Sequence, residues 1–259
     1  MKKDLIARLA NKLDVARLNR TAIAPLTEAN PELSIDDAYQ ISLLLLEQRL
    51  QRGERIVGKK IGVTSAAVMD MLNVRQPDFG FLTNSMRYDE VMPISEQLIQ
   101  PRAEGELAFV LKESIQGPGI TNTAVVAATE AVYPCFEVVD SRIANWQIKI
   151  QDTVADNASC GLFSINENAP IDPSTDLASI TMTVSKNGEV ISNGLGAAAM
   201  GDPVTCVSWL ANTLGAYGIS LNAGDVILSG SLVPLEPVTA GDQMTLTLST
   251  GGSCSLLFS

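Results

Sequence analysis

The stretch "PRAEGELAFVL", Pro101 to Leu111, sets two glutamates two residues apart at the mouth of an apolar run. Side chains alternate along a strand, so Glu104 and Glu106 share a face with Ala108 and Val110. Two adjacent carboxylates on a mostly buried strand repel one another, and each is costly to desolvate. Something must compensate them.

Two answers are open. At a sheet edge, the pair could be matched by Arg102 or Arg142. Alternatively, "YPCFEVVDSR" (Tyr133 to Arg142) places Glu137 between Phe136 and Val138 in a second apolar strand. Three carboxylates from two buried strands would form a hard-oxygen site suited to Mg²⁺ or Mn²⁺.

Composition narrows the chemistry. The 259 residues are 46% hydrophobic and 18% charged, as expected of a globular chain long enough to bury a sizeable core. The net charge of −11 argues against nucleic acid or an anionic membrane as partner. No apolar run reaches the length of a membrane span. Lys2 and Lys3 open the chain, but charges continue through Arg17 and leave no apolar signal core, so an amphipathic first helix and a cytoplasmic location are expected. The four cysteines are dispersed and read as reduced, buried thiols. The sequence holds no histidine, which removes His-based triads, His general bases and His-ligated zinc or iron. Carboxylates, lysine, hydroxyls or a hard metal must do whatever chemistry occurs.

Outward from the central stretch, "SIDDAYQISLLLLEQRLQRG" (34–53) reads as a helix with Ser34 as N-cap, Asp37 three residues on and Gly53 as its stop. Its four leucines, 43 to 46, imply burial on more than one side. "SAAVMDML" (65–72) is a shorter helix. Residues 122–132 read as a helix halted by Pro134, and 203–217 as one capped by Asp202 with Pro203 at N1. "ITMTVSKNGEVIS" (180–192) is a hairpin turning at Asn187-Gly188. The strands do not alternate regularly with helices, and no GxGxxG or GxxxxGK[ST] occurs. The expectation is one α+β domain over 1–259, with a mainly helical region to residue 75 and a β-rich, mainly antiparallel body from 76 carrying the metal site.

Four further segments bear polar groups. In "GKKIGVTS" (58–65), Gly58, Lys60 and Gly62 share one strand face, and the glycines would let a ligand or another backbone approach Lys60. Lys59 points the other way and could reach solvent at an edge; both lysines could equally be surface residues. Asp78 lies in the Pro-Asp-Phe-Gly of "QPDFG", which reads as a turn. "QDTVADNASCG" (151–161) reads as a polar loop. "LSGS" (228–231) could present backbone N–H groups to an anion.

Taken in order, "GKKIGVTS", "QPDFGFL", "QPRAEGELAFVL", "PCFEVVDSRI", "DTVADNASCG" and "ILSGSLVPLEPV" resemble the 2-hydroxypenta-2,4-dienoate (2-oxopent-4-enoate) hydratases. This group also contains 4-oxalocrotonate decarboxylases, within the fumarylacetoacetate hydrolase-like fold. The resemblance spans almost the whole chain and implies a mixed β-sandwich or roll with a helical N-terminal region. It assigns Glu104, Glu106 and Glu137 to a divalent metal, Mg²⁺ or Mn²⁺. Lys60 and Asp78 become the catalytic pair, and Ser159 a substrate-binding residue. It further implies a small 2-oxo or 2-hydroxy dienoic acid as substrate, a homo-oligomer, and association with the decarboxylase of the same pathway.

The implied reaction is hydration of 2-hydroxypenta-2,4-dienoate to 4-hydroxy-2-oxopentanoate in meta-cleavage degradation of aromatic compounds. The alternative is decarboxylation of 4-oxalocrotonate (2-oxo-3-hexenedioate). Decarboxylases of the group tend to lack the PDFG aspartate, and hydration needs the extra acid/base group that Asp78 would supply. Lys60 could move protons if burial and a nearby metal depress its pKa. A related hydrolase would need a His-Glu pair, which a chain without histidine cannot provide. A non-enzymatic metal-binding protein on the same scaffold would retain Mg²⁺ binding without turnover.

Overall fold

The computed structural model describes residues 3–259. Three helices come first: α1 (Lys3–Asn19), α2 (Leu26–Ala29) and α3 (Ile35–Gln51). Helix α1 buries Ile6, Leu9, Ala10, Leu13 and Ala16, a stripe at helical spacing, against α3. The Ser34–Asp37 capping box starts α3 as expected: the Ser34 hydroxyl accepts from the Asp37 N–H, and the Asp37 carboxylate accepts from the Ser34 N–H. Gly53 follows the helix end with φ 92°. Of the four leucines, Leu45 and Leu46 are buried, whereas Leu43 faces outward. Leu44 also packs on the core and α3 contacts both α1 and α7, so the helix is covered on more than one side though not around its whole circumference.

The chain continues through β1 (Ile56–Gly62), α4 (Ala66–Met71), β2 (Asp78–Thr83), β3 (Val91–Met92), α5 (Ile94–Gln97) and β4 (Arg102–Leu111). Then come α6 (Asn122–Ala128), β5 (Thr129–Val139), α7 (Ile150–Ala155), β6 (Cys160–Ile165), β7 (Thr181–Lys186) and β8 (Glu189–Leu195). The last elements are α8 (Pro203–Gly215), β9 (Val226–Leu228), β10 (Glu236–Pro237), β11 (Gln243–Leu248) and β12 (Ser253–Phe258). Helix α8 is capped by Asp202, whose side chain accepts from the Val204 N–H, with Pro203 in the first turn.

The strands form two sheets in a sandwich-like arrangement. A seven-stranded sheet has the order β2-β1-β9-β4-β5-β6, with β10 also on β4; a five-stranded sheet runs β3-β12-β11-β7-β8. Pairing is antiparallel except at β1–β9 and β12–β3. Gly105, between the two glutamates of β4, shows how the sheets meet. A Cβ there would come within 2.5 Å of Met182 Sδ and 3.4 Å of Leu246, side chains of β7 and β11. The strand thus turns its glycine to the second sheet and its glutamates away from it. The β7–β8 hairpin turns at Asn187 and Gly188, both with positive φ, as its Asn-Gly predicts.

Four expectations are corrected. The helix predicted over 122–132 ends at Ala128, and β5 runs from Thr129 straight through Pro134. The Pro134 carbonyl accepts from Asn166 N beyond the end of β6, so the missing N–H lies on that side and costs the β4–β5 ladder nothing. Asp78 is the first residue of a buried strand rather than part of a turn. "QDTVA" (151–155) lies in α7 and Asn157–Ser159 form a short 3₁₀ turn, so this segment is ordered by helical hydrogen bonds. Strand β1 lies inside its sheet, and Lys59 is buried in an ion pair with Asp225 instead of reaching solvent.

Candidate active site

Register brings the acidic residues together. Directly paired residues on neighbouring strands share a sheet face. Glu104 pairs with Glu137, Glu106 with Cys135, Lys60 with Gly80, and Gly62 with Asp78. Leu228 of β9 pairs with both Lys60 and Ala108, linking the two halves of the row. All five predicted catalytic and metal-site residues therefore stand on one face of the seven-stranded sheet.

Carboxylate oxygens of Glu104, Glu106 and Glu137 lie within 4.8 Å of one another. Glu106 and Glu137 are fully buried, while Glu104 keeps partial exposure. Neither Arg102 nor Arg142 serves them: Arg102 lies over the Trp146 ring, and Arg142 binds Asp156 at 2.5 Å. Lys60, a backbone N–H and, at Glu104, the Ser231 side chain compensate them in part. Lys60 Nζ is 3.3 Å from Glu137 Oε1, and the Gly230 N–H donates to Glu106 Oε2 at 2.8 Å. The "LSGS" loop thus offers its backbone to an anion, but the anion is the protein's own carboxylate.

That compensation is incomplete. Glu106 Oε1, both oxygens of Glu137 and both of Asp78 are buried without a hydrogen-bond partner. Orphaned buried oxygens of this kind are rare in folded proteins and call for an explanation such as an ion. The three glutamates offer only hard oxygen donors, which fits Mg²⁺ or Mn²⁺ and disfavours soft metals. Electrostatics agree. Burial and the neighbouring Glu137 charge push the Glu104 carboxyl up to about 8, against which Lys60 acts only partly. Burial, then Glu104 and Glu137, raise Glu106 well above the ordinary range. Without a cation the cluster resists full ionisation.

Lys60 is buried, which opposes its charge, yet Glu137, Asp78 and Glu104 more than reverse that effect and raise its pKa. In the metal-free protein these carboxylates outweigh burial; the expected depression toward neutrality calls for a bound metal as well. Asp78 is pushed up to about 6, chiefly by burial, with Lys60 pulling it down and Glu137 pushing it up. Gly62 makes this pairing feasible. A Cβ there would overlap Asp78 Oδ1 and come within 3.1 Å of Lys60 Nζ, so both groups crowd into the space that a side chain would occupy. Asp78 also lines a cleft of about 290 Å³ together with residues of α3, α7 and 73–77.

Ser159 is placed differently. It is buried, and its hydroxyl lies 3.0 Å from that of Thr153. Its turn is fastened to β2 by Asn157, whose side chain accepts from the Phe81 N–H and donates to the Phe81 carbonyl, copying a strand partner. Behind it, Arg142 donates to the Asp156 carboxylate and to the carbonyls of Asp156 and Cys160. Sequence reasoning marked Gly62 as permitting close approach to Lys60 without identifying Asp78 as the group that approaches, and it did not single out Asn157 or the Arg142–Asp156 pair in these roles. The glycine flanking Lys60 was the one available signal.

With this geometry in view, similarity to known proteins is informative. Residues 61–256 match the fumarylacetoacetate (FAA) hydrolase C-terminal family. The chain is 55% identical over 259 residues to a 2-hydroxyhexa-2,4-dienoate hydratase of Comamonas testosteroni, covering 99% of this chain and 98% of that one. It is 60% identical over 222 residues to a 2-hydroxypent-2,4-dienoate hydratase of Pseudomonas putida, covering 85% and 100%. Its fold superposes with a TM-score of 0.95, at 34% identity, on a 4-oxalocrotonate decarboxylase of Pseudomonas putida G7 solved with magnesium and adipate, covering 100% of this chain and 99% of that one. An intact sheet face of acids and lysine, and near full-length identity of this order, place the chain in the fumarylacetoacetate hydrolase family, among its 2-hydroxypentadienoate hydratases.

Proposed function

We propose that this chain is a metal-dependent hydro-lyase that adds water to 2-hydroxypenta-2,4-dienoate, giving 4-hydroxy-2-oxopentanoate. The observation that carries this reading is the row of buried carboxylate oxygens of Glu106, Glu137 and Asp78 without a hydrogen bond, gathered about Lys60, in a chain with close hydratase relatives. Glu104, Glu106 and Glu137 would hold Mg²⁺ or Mn²⁺. When bound, such an ion supplies Lewis-acid stabilisation of negative charge on the substrate's 2-oxygen.

The rest of the chemistry belongs to the protein's own groups. Hydration requires a proton at C5, a water at C4 and a proton at C3. Lys60 Nζ and the Asp78 carboxyl are the two groups beside the glutamates that can hold and pass those protons. Asp78, raised to about 6, can carry a proton close to neutral pH, and burial keeps bulk water away from it. Ser159 would orient the substrate, with Thr153 fixing its hydroxyl.

The test is direct. Dienol absorbance should fall in the presence of Mg²⁺ or Mn²⁺, with a product one water heavier than the substrate. Release of CO₂ from 2-oxo-3-hexenedioate instead would establish the decarboxylase alternative, which the shared scaffold permits.

No described helix is long and apolar enough to cross a membrane, and the four cysteines are free and buried, which supports a reducing cytoplasmic setting. Self-association and pairing with the pathway decarboxylase complete the proposal. Val190, Ile191 and Leu195, exposed on the edge strand β8, support it. Mass measurement in solution, alone and with the decarboxylase, checks both.

A further inference from the structure

The turn that carries Ser159 is held in a backbone conformation that two of its three residues disfavour. Asn157, Ala158 and Ser159 have φ of 54°, 52° and 52°. Among the described residues, no other three in a row lie in the left-handed region. Asparagine tolerates that region, whereas the Cβ makes it costly for alanine and serine. Glycine is the usual residue where a backbone must be left-handed, and this turn has none. Such strain persists only where surrounding contacts over-determine it. Here the Asn157 side chain bonds both backbone groups of Phe81, the Ser159 carbonyl accepts from the Asp140 N–H at 2.8 Å, and Ala158 is buried.

The strained turn lies over the reacting face. Gly80 pairs with Lys60, so the Cβ it lacks would point to the side that Lys60 occupies. That Cβ would meet the Asn157 carbonyl oxygen at 2.5 Å. At its other end the turn runs into Cys160, which opens β6 opposite Val139, two residues from Glu137. Strands β2 and β6 end the main order of the seven-stranded sheet, so the turn joins its two ends, with Ser159 between the anchors.

We propose that Ala158 is a positioning residue, whose left-handed backbone fixes the Ser159 hydroxyl for the substrate at a cost to the fold. The inference rests on the hydratase reading, which brings the oxo acid to the glutamates and has Ser159 orient it. Thr153, 3.0 Å from the Ser159 hydroxyl, fixes the rotation of that hydroxyl but not the backbone beneath it. Glycine at position 158 would accept the turn without strain, but its wider range of φ would let Ser159 move.

Ala158→Gly separates the two effects. Its Tm should equal or exceed that of wild type, because glycine carries no penalty at positive φ. Binding should weaken nonetheless. The probe is 2-oxopentanoate, which has the substrate's five carbons and no double bond, titrated calorimetrically into Mn²⁺-loaded protein. Its affinity should fall by about tenfold or more, the order of one hydrogen bond to a charged group, with Mn²⁺ affinity kept within about twofold. In a Ser159→Ala background the same substitution should change 2-oxopentanoate affinity by no more than about twofold, because Ala158 acts through that hydroxyl. A lower Tm, an unchanged affinity, or an equal loss in both backgrounds would overturn the assignment. The expected cycle in a protein without dienoate turnover would overturn the hydratase reading and leave the role of Ala158 standing.

Discussion

Glu104 and Glu137 stand directly opposite one another across the β4–β5 ladder, on the same face of the sheet. Like charges so placed destabilise a sheet unless something lies between them. Lys60, 3.3 Å from Glu137, supplies one positive charge to a region that also holds Glu106 and Asp78. The imbalance has measurable consequences.

The first concerns metal and pH. Glu104 holds its proton up to about 8 in the folded protein, against an ordinary 4.5. A carboxyl bound more tightly to its proton when folded stabilises the metal-free fold at low pH, and this contribution is lost as pH rises from 4.5 toward 8. Metal ligation needs the ionised form and releases the proton. The rise in Tm caused by Mg²⁺ should therefore grow between pH 6 and 8 and then level off (window set by the Glu104 shift). Calorimetric titration in buffers of different ionisation enthalpy should show proton release. A pH-independent Tm increment would contradict the cluster.

Glu106→Gln should act in opposite directions with and without metal. The amide oxygen can still accept from Gly230 N, while the cost of burying this carboxyl, which must take up a proton or repel its neighbours on folding, disappears. Metal-free protein should become more stable by about 1 kcal/mol or more near neutral pH, as relief of a pKa unit of unfavourable interaction implies. Mg²⁺ affinity should fall by about a hundredfold or more, at least the upper loss seen for outer-shell partners. Thermal melts with and without Mg²⁺ read both effects.

Lys60→Met removes the only ammonium that, among the described residues, pairs with the cluster and leaves Glu137 without its ion-pair partner. Breaking a buried pair costs about 3–5 kcal/mol, so metal-free protein should melt well below wild type, and Mg²⁺ should recover much of the difference. Turnover should be abolished with metal binding retained. Wild-type turnover would remove Lys60 from the mechanism.

Asp78→Asn and Gly62→Ala test the proton-handling pair from two sides. The first should lower kcat by about 10²–10⁴-fold, the usual contribution of a positioned acid or base. The second adds a methyl where Asp78 Oδ1 and Lys60 Nζ crowd together, and should displace them at a backbone position without positive φ. Both variants should keep their Mg²⁺-dependent Tm shift. A Gly62→Ala enzyme with wild-type kcat would show that the close approach is unimportant.

Asn157→Ala should cost about 1–3 kcal/mol, because the Phe81 N–H and carbonyl both lose their partner at a buried strand edge. The expected signs are a lower Tm and faster amide exchange along β2. Unchanged exchange at Phe81 would show that solvent replaces the side chain without penalty.

Local chemistry made much of this protein legible before any coordinates. The alternation of Glu104 and Glu106 with apolar neighbours, the Ser34–Asp37 capping box and the Asn187-Gly188 turn all depend on interactions within a few residues, and each appears in the fold as read. The absence of histidine likewise confined the chemistry to carboxylates, lysine and hydroxyls. Pairing between distant strands was another matter. That β9, near residue 227, separates β1 from β4 is settled by contacts across well over a hundred residues, which leave no periodic trace. Pro134 and Asp78 were misread for the same reason. Each sits in a segment whose local signal says turn or break, and ladder partners override it. Local sequence placed three glutamates and a lysine on strand faces; only the long-range register made them face one another, because desolvated charge is compensated by whichever group the fold brings near.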